Sequence, residues 1–346
     1  MQSFPPDGPE QMFPAGDQPE EVVAGVWRIP VPLPFALRSA NVYLIADGPA
    51  DWTLVDCGLG LAADEAALQA GLTHAGVSLD AITALILTHG HPDHIGLAAT
   101  VQHAADIPVY MLAGEETRMF TFWGDGSEDI LARVGAMFAA NGLSATEVAS
   151  GLVSSRRMRT ILRLPPRDSL HLLHPGEALR LGAHTWQTFW TPGHSDYHLC
   201  LLRDDGVFIA GDHVLPSITP NIGLYPDARI DPLHDYLDAV RQVRDLPVRI
   251  VLPGHGRPFI ALPERADALG AHHRERSEEV QGVLREQHLG VSARALADHV
   301  FGPRLRNGDD VRFATVEMLA HLEYLRLSER ALRRDDGPVI TYHSPK

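Results

Sequence analysis

Residues 82–88 form a nearly unbroken apolar run that ends in His89-Gly90-His91-Pro92-Asp93-His94. An apolar run of this length between turn residues reads as a strand buried on both faces. Three imidazoles and one carboxylate then follow within six residues. Side chains held at the end of a buried strand can be aimed accurately, and functional groups gather on the loops that such scaffolds position. The run therefore calls for a sheet covered on both sides, with chemistry at its edge.

Other segments fit that frame. Residues 26–33, 41–45 and 52–56 have strand character, and 62–75 has helical spacing with Gly76 as its stop. Residues 94–105 predict one helix and 109–112 a strand. Residues 115–163 are helical in pattern and carry Met119, Phe120, Phe122 and Trp123, so they form a helical insertion. This insertion is either a substrate wall or an extra helical layer. Strands resume at 171–173, 178–181, 185–191, 197–202 and 207–210, followed by a helix at 232–246 and a strand at 249–252. Two comparable blocks of strands and helices predict an α/β (α+β) fold: two sheets packed together with helices outside, a four-layer sandwich.

Three later segments place a His or Asp after a small or turn residue at a strand end. They are Thr191-Pro192-Gly193-His194, Gly211-Asp212 and Pro253-Gly254-His255-Gly256. Imidazole nitrogen with carboxylate oxygen suits zinc, manganese or iron better than calcium. No Gly-x-Ser-x-Gly elbow is present. Neither Cys57 nor Cys200 has a partner at metal-ligand spacing, and both lie in apolar runs. Both read as reduced core residues of a cytoplasmic protein.

The H-x-H-x-D-H run, the T-P-G-H, G-D and P-G-H-G segments, and Asp56-Cys57-Gly58 after an early strand resemble the metallo-β-lactamase superfamily over residues about 22 to 260. The resemblance implies an αββα sandwich and a site for two divalent metal ions. Zinc is the default, and manganese or iron fits the same donors. His89, His91 and His194 would hold the first ion. Asp93, His94 and His255 would hold the second. Asp212 would bridge both, and Asp56 would support the His loop by hydrogen bonds. Asp93 and Asp212 are the carboxylates implied to act in catalysis, around a metal-bridging hydroxide. Asn221 or Tyr225, in the loop after Asp212, can donate to an oxyanion or simply serve the turn.

Residues 1–20 read as a flexible arm without a signal peptide, 21–262 as the catalytic domain, and 263–346 as a C-terminal unit of three helices and a hairpin. That outline is similar to a winged helix and to the LACTB2-like branch of the superfamily. Glyoxalase II-type thioesterases share the metal motifs but not the tail. Three functions follow. The first is hydrolysis of a thioester, ester or lactone of a small metabolite. The second is phosphodiester cleavage of single-stranded RNA, with Arg304, Arg306, Arg312, Arg330, Arg333 and Arg334 meeting phosphates. The third is a non-catalytic metal-binding module, which a complete ligand set opposes. The net charge of −15 favours the first, because nucleic-acid affinity rests on positive charge. From Leu262 onward 13 basic residues face 14 acidic ones, so the tail is near neutral. No membrane partner is expected, and apolar faces on the tail allow a homodimer. Asp212→Ala is predicted to abolish most hydrolysis and to reduce bound metal without unfolding the chain, as read by metal analysis and circular dichroism.

Overall fold

The structure is a computed structural model that describes residues 17–34 and 37–345. Most of the predicted N-terminal arm lies outside the described residues. Within its described part, Asp17 and Glu20 both pair with the buried Arg28 guanidinium.

The first sheet contains seven strands in chain order: β1 (Glu20–Val23), β2 (Val26–Pro32), β3 (Ser39–Ala46), β4 (Trp52–Val55), β5 (Ile82–Ile86), β6 (Val109–Leu112) and β7 (Leu170–Leu173). It is antiparallel up to β4 and parallel beyond it. The parallel steps need crossovers, and α1 (Ala62–His74) and α3 (Ala98–Ala105) supply the first two. The second sheet has the order β12 (Ile250–Pro253), β11 (Val207–Gly211), β10 (Leu199–Arg203), β9 (His184–Trp190) and β8 (Ala178–Leu181).

Side-chain alternation along the strands creates the layers. Leu44, Leu54 and Leu85 face outward and pack with Leu68 and Leu72 of α1 and Val101 of α3. Their neighbours Ile45, Val55 and Ile86 point the other way, onto Leu199, Leu201, Val207 and Ile209 of the second sheet. The residues between those, Cys200, Leu202, Phe208 and Ala210, turn out again to meet α7 (Pro232–Arg244) and α8 (Leu262–Glu286) through Val243 and Leu269. Because successive strand residues point to opposite faces, apolar runs this continuous require cover on both sides, and the αββα sandwich provides it. Both cysteines are buried and free.

The helix expected over 94–105 is two helices, α2 (Pro92–Ile95) and α3, with Gly96 and Leu97 between them. Gly96 donates its N–H to Gly58 O at 2.7 Å. A Cβ at Gly96 would lie 1.9 Å from Leu59 O. The chain breaks there so that the loop after β4 can dock against the His loop.

The insertion is α4 (Glu115–Trp123), α5 (Glu128–Ala140) and α6 (Ala145–Ile161), the last opened by a Ser144/Glu147 capping box. The tail continues from α8 into α9 (Ala293–Phe301), capped by Ser292, then α10 (Gly308–Leu327) and a hairpin of β13 (Leu332–Arg334) and β14 (Thr341–His343). Insertion and tail share a core, in which Val134 and Phe138 of α5 pack with Val311 and Val316 of α10. Among the described residues no helix is long and apolar enough to cross a membrane.

The two sheets are also joined by polar contacts. Asn41 of β3 donates to Pro253 O at 2.8 Å and Gly256 O at 2.7 Å, and accepts from Arg28 at 3.0 Å. Asn41→Ala would leave Arg28 Nη1 and the Gly256 carbonyl without this partner, while Pro253 O keeps the Tyr43 hydroxyl, at a cost of about 1–3 kcal/mol. Urea denaturation is expected to show that loss with an unchanged m-value.

Candidate metal centre

Four loops at the same end of the sandwich bring the predicted residues together. His89, His91, Asp93 and His94 follow β5, His194 follows β9, Asp212 follows β11 and His255 follows β12. Around a first point, His91 Nδ1 lies 3.0 Å from His89 Nε2 and 2.9 Å from His194 Nε2. Around a second, His255 Nε2 lies 3.3 Å from Asp93 Oδ2, and His94 Nε2 lies 3.9 Å from that same oxygen. Asp212 stands between them, with Oδ1 3.6 Å from His94 Nε2 and Oδ2 3.4 Å from His194 Nε2 and 3.3 Å from His255 Nε2. Gly254 permits this approach, since a Cβ there would sit 2.1 Å from Asp212 Oδ1.

The rings are held from behind. Asp56, at φ +61°, accepts from the Thr88 N–H and hydroxyl at 2.8 Å each and meets His94 Nδ1 at 2.8 Å. Thr88 Oγ1 lies 3.0 Å from His89 Nδ1. Ser39 O meets His255 Nδ1 at 2.7 Å, and Asn221 O meets His194 Nδ1 at 2.9 Å. Each contact turns the other ring nitrogen toward the cluster.

The electrostatics divide the set. Burial, with His94 and His91 nearby, pushes the His89 imidazole well below its ordinary pKa. Burial, with His194 nearby, takes His91 to about 3. Both are therefore neutral donors. For His255 burial again acts downward, but Asp212 and Asp93 outweigh it and raise the value to about 10. Burial likewise opposes charge on His94, and Asp212 and Asp56 hold it well above the ordinary imidazole range. Burial acts upward on Asp212, and His255 and His94 overcome it and keep the carboxyl well below the usual carboxylate range.

A family model described as "Metallo-beta-lactamase superfamily" matches residues 36–255. The chain belongs to the metallo-β-lactamase superfamily. The Bacillus subtilis "Probable metallo-hydrolase YqjP" is 28% identical over 94% of this chain and 99% of its own length. A "Beta-lactamase-like protein 2 homolog" of Caenorhabditis elegans is 23% identical, over 81% and 79%. An "Atrochrysone carboxyl ACP thioesterase" of Aspergillus fumigatus is 26% identical over 41% of this chain and 42% of its own. Among solved structures, the metallo-beta-lactamase family protein TTHA1429 from Thermus thermophilus superposes with a TM-score of 0.82 at 31% identity, covering 94% of this chain and 100% of that one.

Metallo-β-lactamase superfamily members use divalent metals, and the donor set here fits such a role. Buried His94 Nε2, Asp212 Oδ1 and His255 Nε2 have no hydrogen-bond partner, and all three face the cluster. Orphaned buried polar atoms are rare in folded proteins and call for an explanation. Three groups of donors, His89–His91–His194, His89–His94–Asp212 and Asp93–His94–His255, are each close enough to share an ion. Among the described residues the remaining group of this kind, His184–Asp204–Asp205, is occupied differently, because Arg203 and Arg249 already pair with Asp205.

The other predicted site residues fall nearby in distinct roles. Asn221 turns its carbonyl to His194, while its amide donates to Glu317 at 3.0 Å and Phe313 O at 3.3 Å, so its N–H groups serve α10. Tyr225 packs edge-on against Phe122 at 6.1 Å. His213 is fully buried between His198 and Tyr236. His198 is a satisfied core residue: its Nε2 accepts the Asp212 N–H at 3.1 Å and its Nδ1 meets Thr191 Oγ1 at 2.9 Å. Two residues escaped the reading of the sequence. Glu115 contacts both His loops, and Trp123 donates to Gly90 O at 2.9 Å. Glu115 had no signal beyond opening the helical insertion, and Trp123 was visible only as one of that insertion's aromatic residues.

A metal held by His94 and His255 would have to displace the protons that the carboxylates favour there. Apparent metal affinity is therefore expected to rise with pH through the neutral range toward about 10, by about tenfold per unit for each proton displaced. Calorimetric titration in buffers of different ionisation heat would count the released protons.

Proposed function

We propose that this chain is a two-metal hydrolase acting on a thioester, ester or lactone of a small metabolite. The observation that carries the reading is Asp212, whose two oxygens face different imidazole groups, Oδ1 toward His94 and Oδ2 toward His194 and His255. A shared carboxylate between two donor sets suits a pair of ions better than one. His89, His91 and His194 would hold one ion, Asp93, His94 and His255 the other, and Asp212 both, with zinc as the default metal. Bound there, divalent ions supply Lewis acidity and a water acidified to near neutral pH.

The chain's own groups do the rest. Asp56, Ser39 and Asn221 fix which ring nitrogens face inward. Asp93 is the more open of the two central carboxylates, with 17% of its side chain exposed against 8% for Asp212. It is therefore the one that solvent or an entering substrate reaches more readily. Buried Cys57 and Cys200 are held as thiols, with burial raising Cys200 to about 12, so neither serves as a nucleophile.

Charge supports the metabolite over RNA. In the tail, Arg306 pairs with Asp310, Arg312 with Asp309 and Arg333 with Glu323, and Arg330 donates to Gln281. Three of the six arginines are thus offset by acids, and with 13 basic against 14 acidic residues from Leu262 onward the tail carries no net positive field for a phosphate backbone. The thioesterase named among the relatives fits an acyl substrate. Metal-loaded chain is expected to hydrolyse at least one member of an acyl-CoA, glutathione thioester and lactone panel, with His89→Ala as the blank. Cleavage of single-stranded RNA or bis-p-nitrophenyl phosphate alone, lost in the blank, would reverse the substrate assignment. A metal-loaded chain inert on all of them would make it a binding module.

A further inference from the structure

Glu115 opens α4 and is 1% exposed. A buried carboxylate is strongly unfavourable unless donors surround it. Here Oε1 accepts the Gly90 N–H at 2.7 Å and the Ser195 hydroxyl at 2.5 Å, and Oε2 accepts the Tyr197 N–H at 3.1 Å. Its place in the first turn of α4 adds the favourable end of the helix dipole.

The identity of those donors is the point. Gly90 lies between His89 and His91, and Ser195 follows His194. One carboxylate thus ties together the two chain segments that carry all three members of the first donor group. It makes no hydrogen bond to Asp93, His94, His255 or Asp212. The same helix also grips the other side of the Gly90 peptide, where Trp123 Nε1 donates to Gly90 O. Two glycines let the parts close up. A Cβ at Gly90 would meet Glu115 Oε1 at 3.1 Å, and one at Gly114, where φ is +100°, would lie 2.6 Å from the Tyr197 ring.

We infer that Glu115 is a positioning residue that sets the metal affinity of the His89–His91–His194 subsite by fixing the distance between its two loops, while the Asp93–His94–His255 subsite loads independently of it. The inference rests on the two-metal reading above. It also gives the helical insertion a role in holding the centre, beyond covering it.

The test uses the full chain, stripped of metal and titrated with Co2+. Visible absorption follows the coordination at each step, and mass spectrometry counts the bound ions. Glu115→Gln keeps the volume but turns one acceptor into a donor facing another donor. It is expected to weaken one of two binding steps by about 10–100-fold, as losses in the outer hydrogen-bond shell of metal sites do, to alter the spectrum of that step, and to leave the other step unchanged. Glu115→Ala is expected to do the same more strongly. If it fails to fold by circular dichroism, Glu115→Gln decides alone. Folded Glu115→Gln that binds both ions with wild-type affinity and spectra overturns the inference, and so does equal weakening of both steps. Wild-type stoichiometry separately tests the two-metal reading: a single ion per wild-type chain refutes that reading, whatever the variant does.

Discussion

The centre of this molecule is a carboxylate buried among imidazoles. Asp212 sits where the two sheets meet at one end of the sandwich, with His94, His194 and His255 around its oxygens and His198 under its backbone N–H. An isolated charge at such a depth is strongly disfavoured. It persists because opposite charge surrounds it, on His94 and His255, whose imidazoles the neighbouring carboxylates hold above their ordinary pKa. The cluster is not an ordinary hydrogen-bonded core, since three of its buried atoms are in ion-pair range but have no hydrogen-bond partner.

Holding such a cluster open takes a rigid surround, and every part of the fold contributes. The first sheet sends Ser39 O to His255, and Asn41 and Tyr43 both reach Pro253 O beside that loop. The loop after β4 sends Asp56 to Thr88 and His94. The insertion adds Glu115 and Trp123. Even the tail takes part: Glu317 of α10 accepts from Asn221, whose carbonyl orients His194. Burial raises the Glu317 carboxyl to about 7 against the pull of Arg276. Removing the tail would therefore disturb a donor ring as well as expose the apolar face of the insertion.

Much of the centre was legible in the chain itself. His89 to His94 are six consecutive residues, so their proximity needed no tertiary information. His194, Asp212 and His255 were legible through their setting, a strand followed by Gly or Pro and then a donor. The helices of the tail also stood out, because a cap such as Ser292 acts over a few residues. Less legible was the break between α2 and α3. It depends on Gly96 meeting Leu59 O, a contact between chain segments that no local pattern encodes.

Glu115 shows where the boundary lies. In sequence it is one acid of a Glu-Glu pair, and Glu116 beside it has equal claim. Only the turn at Gly114 decides that Glu115 enters the core while Glu116 stays at the surface and bonds the Gly114 N–H. Asn221 is a similar case, because turn chemistry is visible in its loop but the direction of its amide depends on where α10 packs. By itself the sequence determined the donors, their order and the alternation that demands a covered two-sheet core, since all of these are local or periodic. Tertiary structure alone decided which groups stand behind the donors, because those contacts join residues up to 216 positions apart and exist only once the sheets have docked.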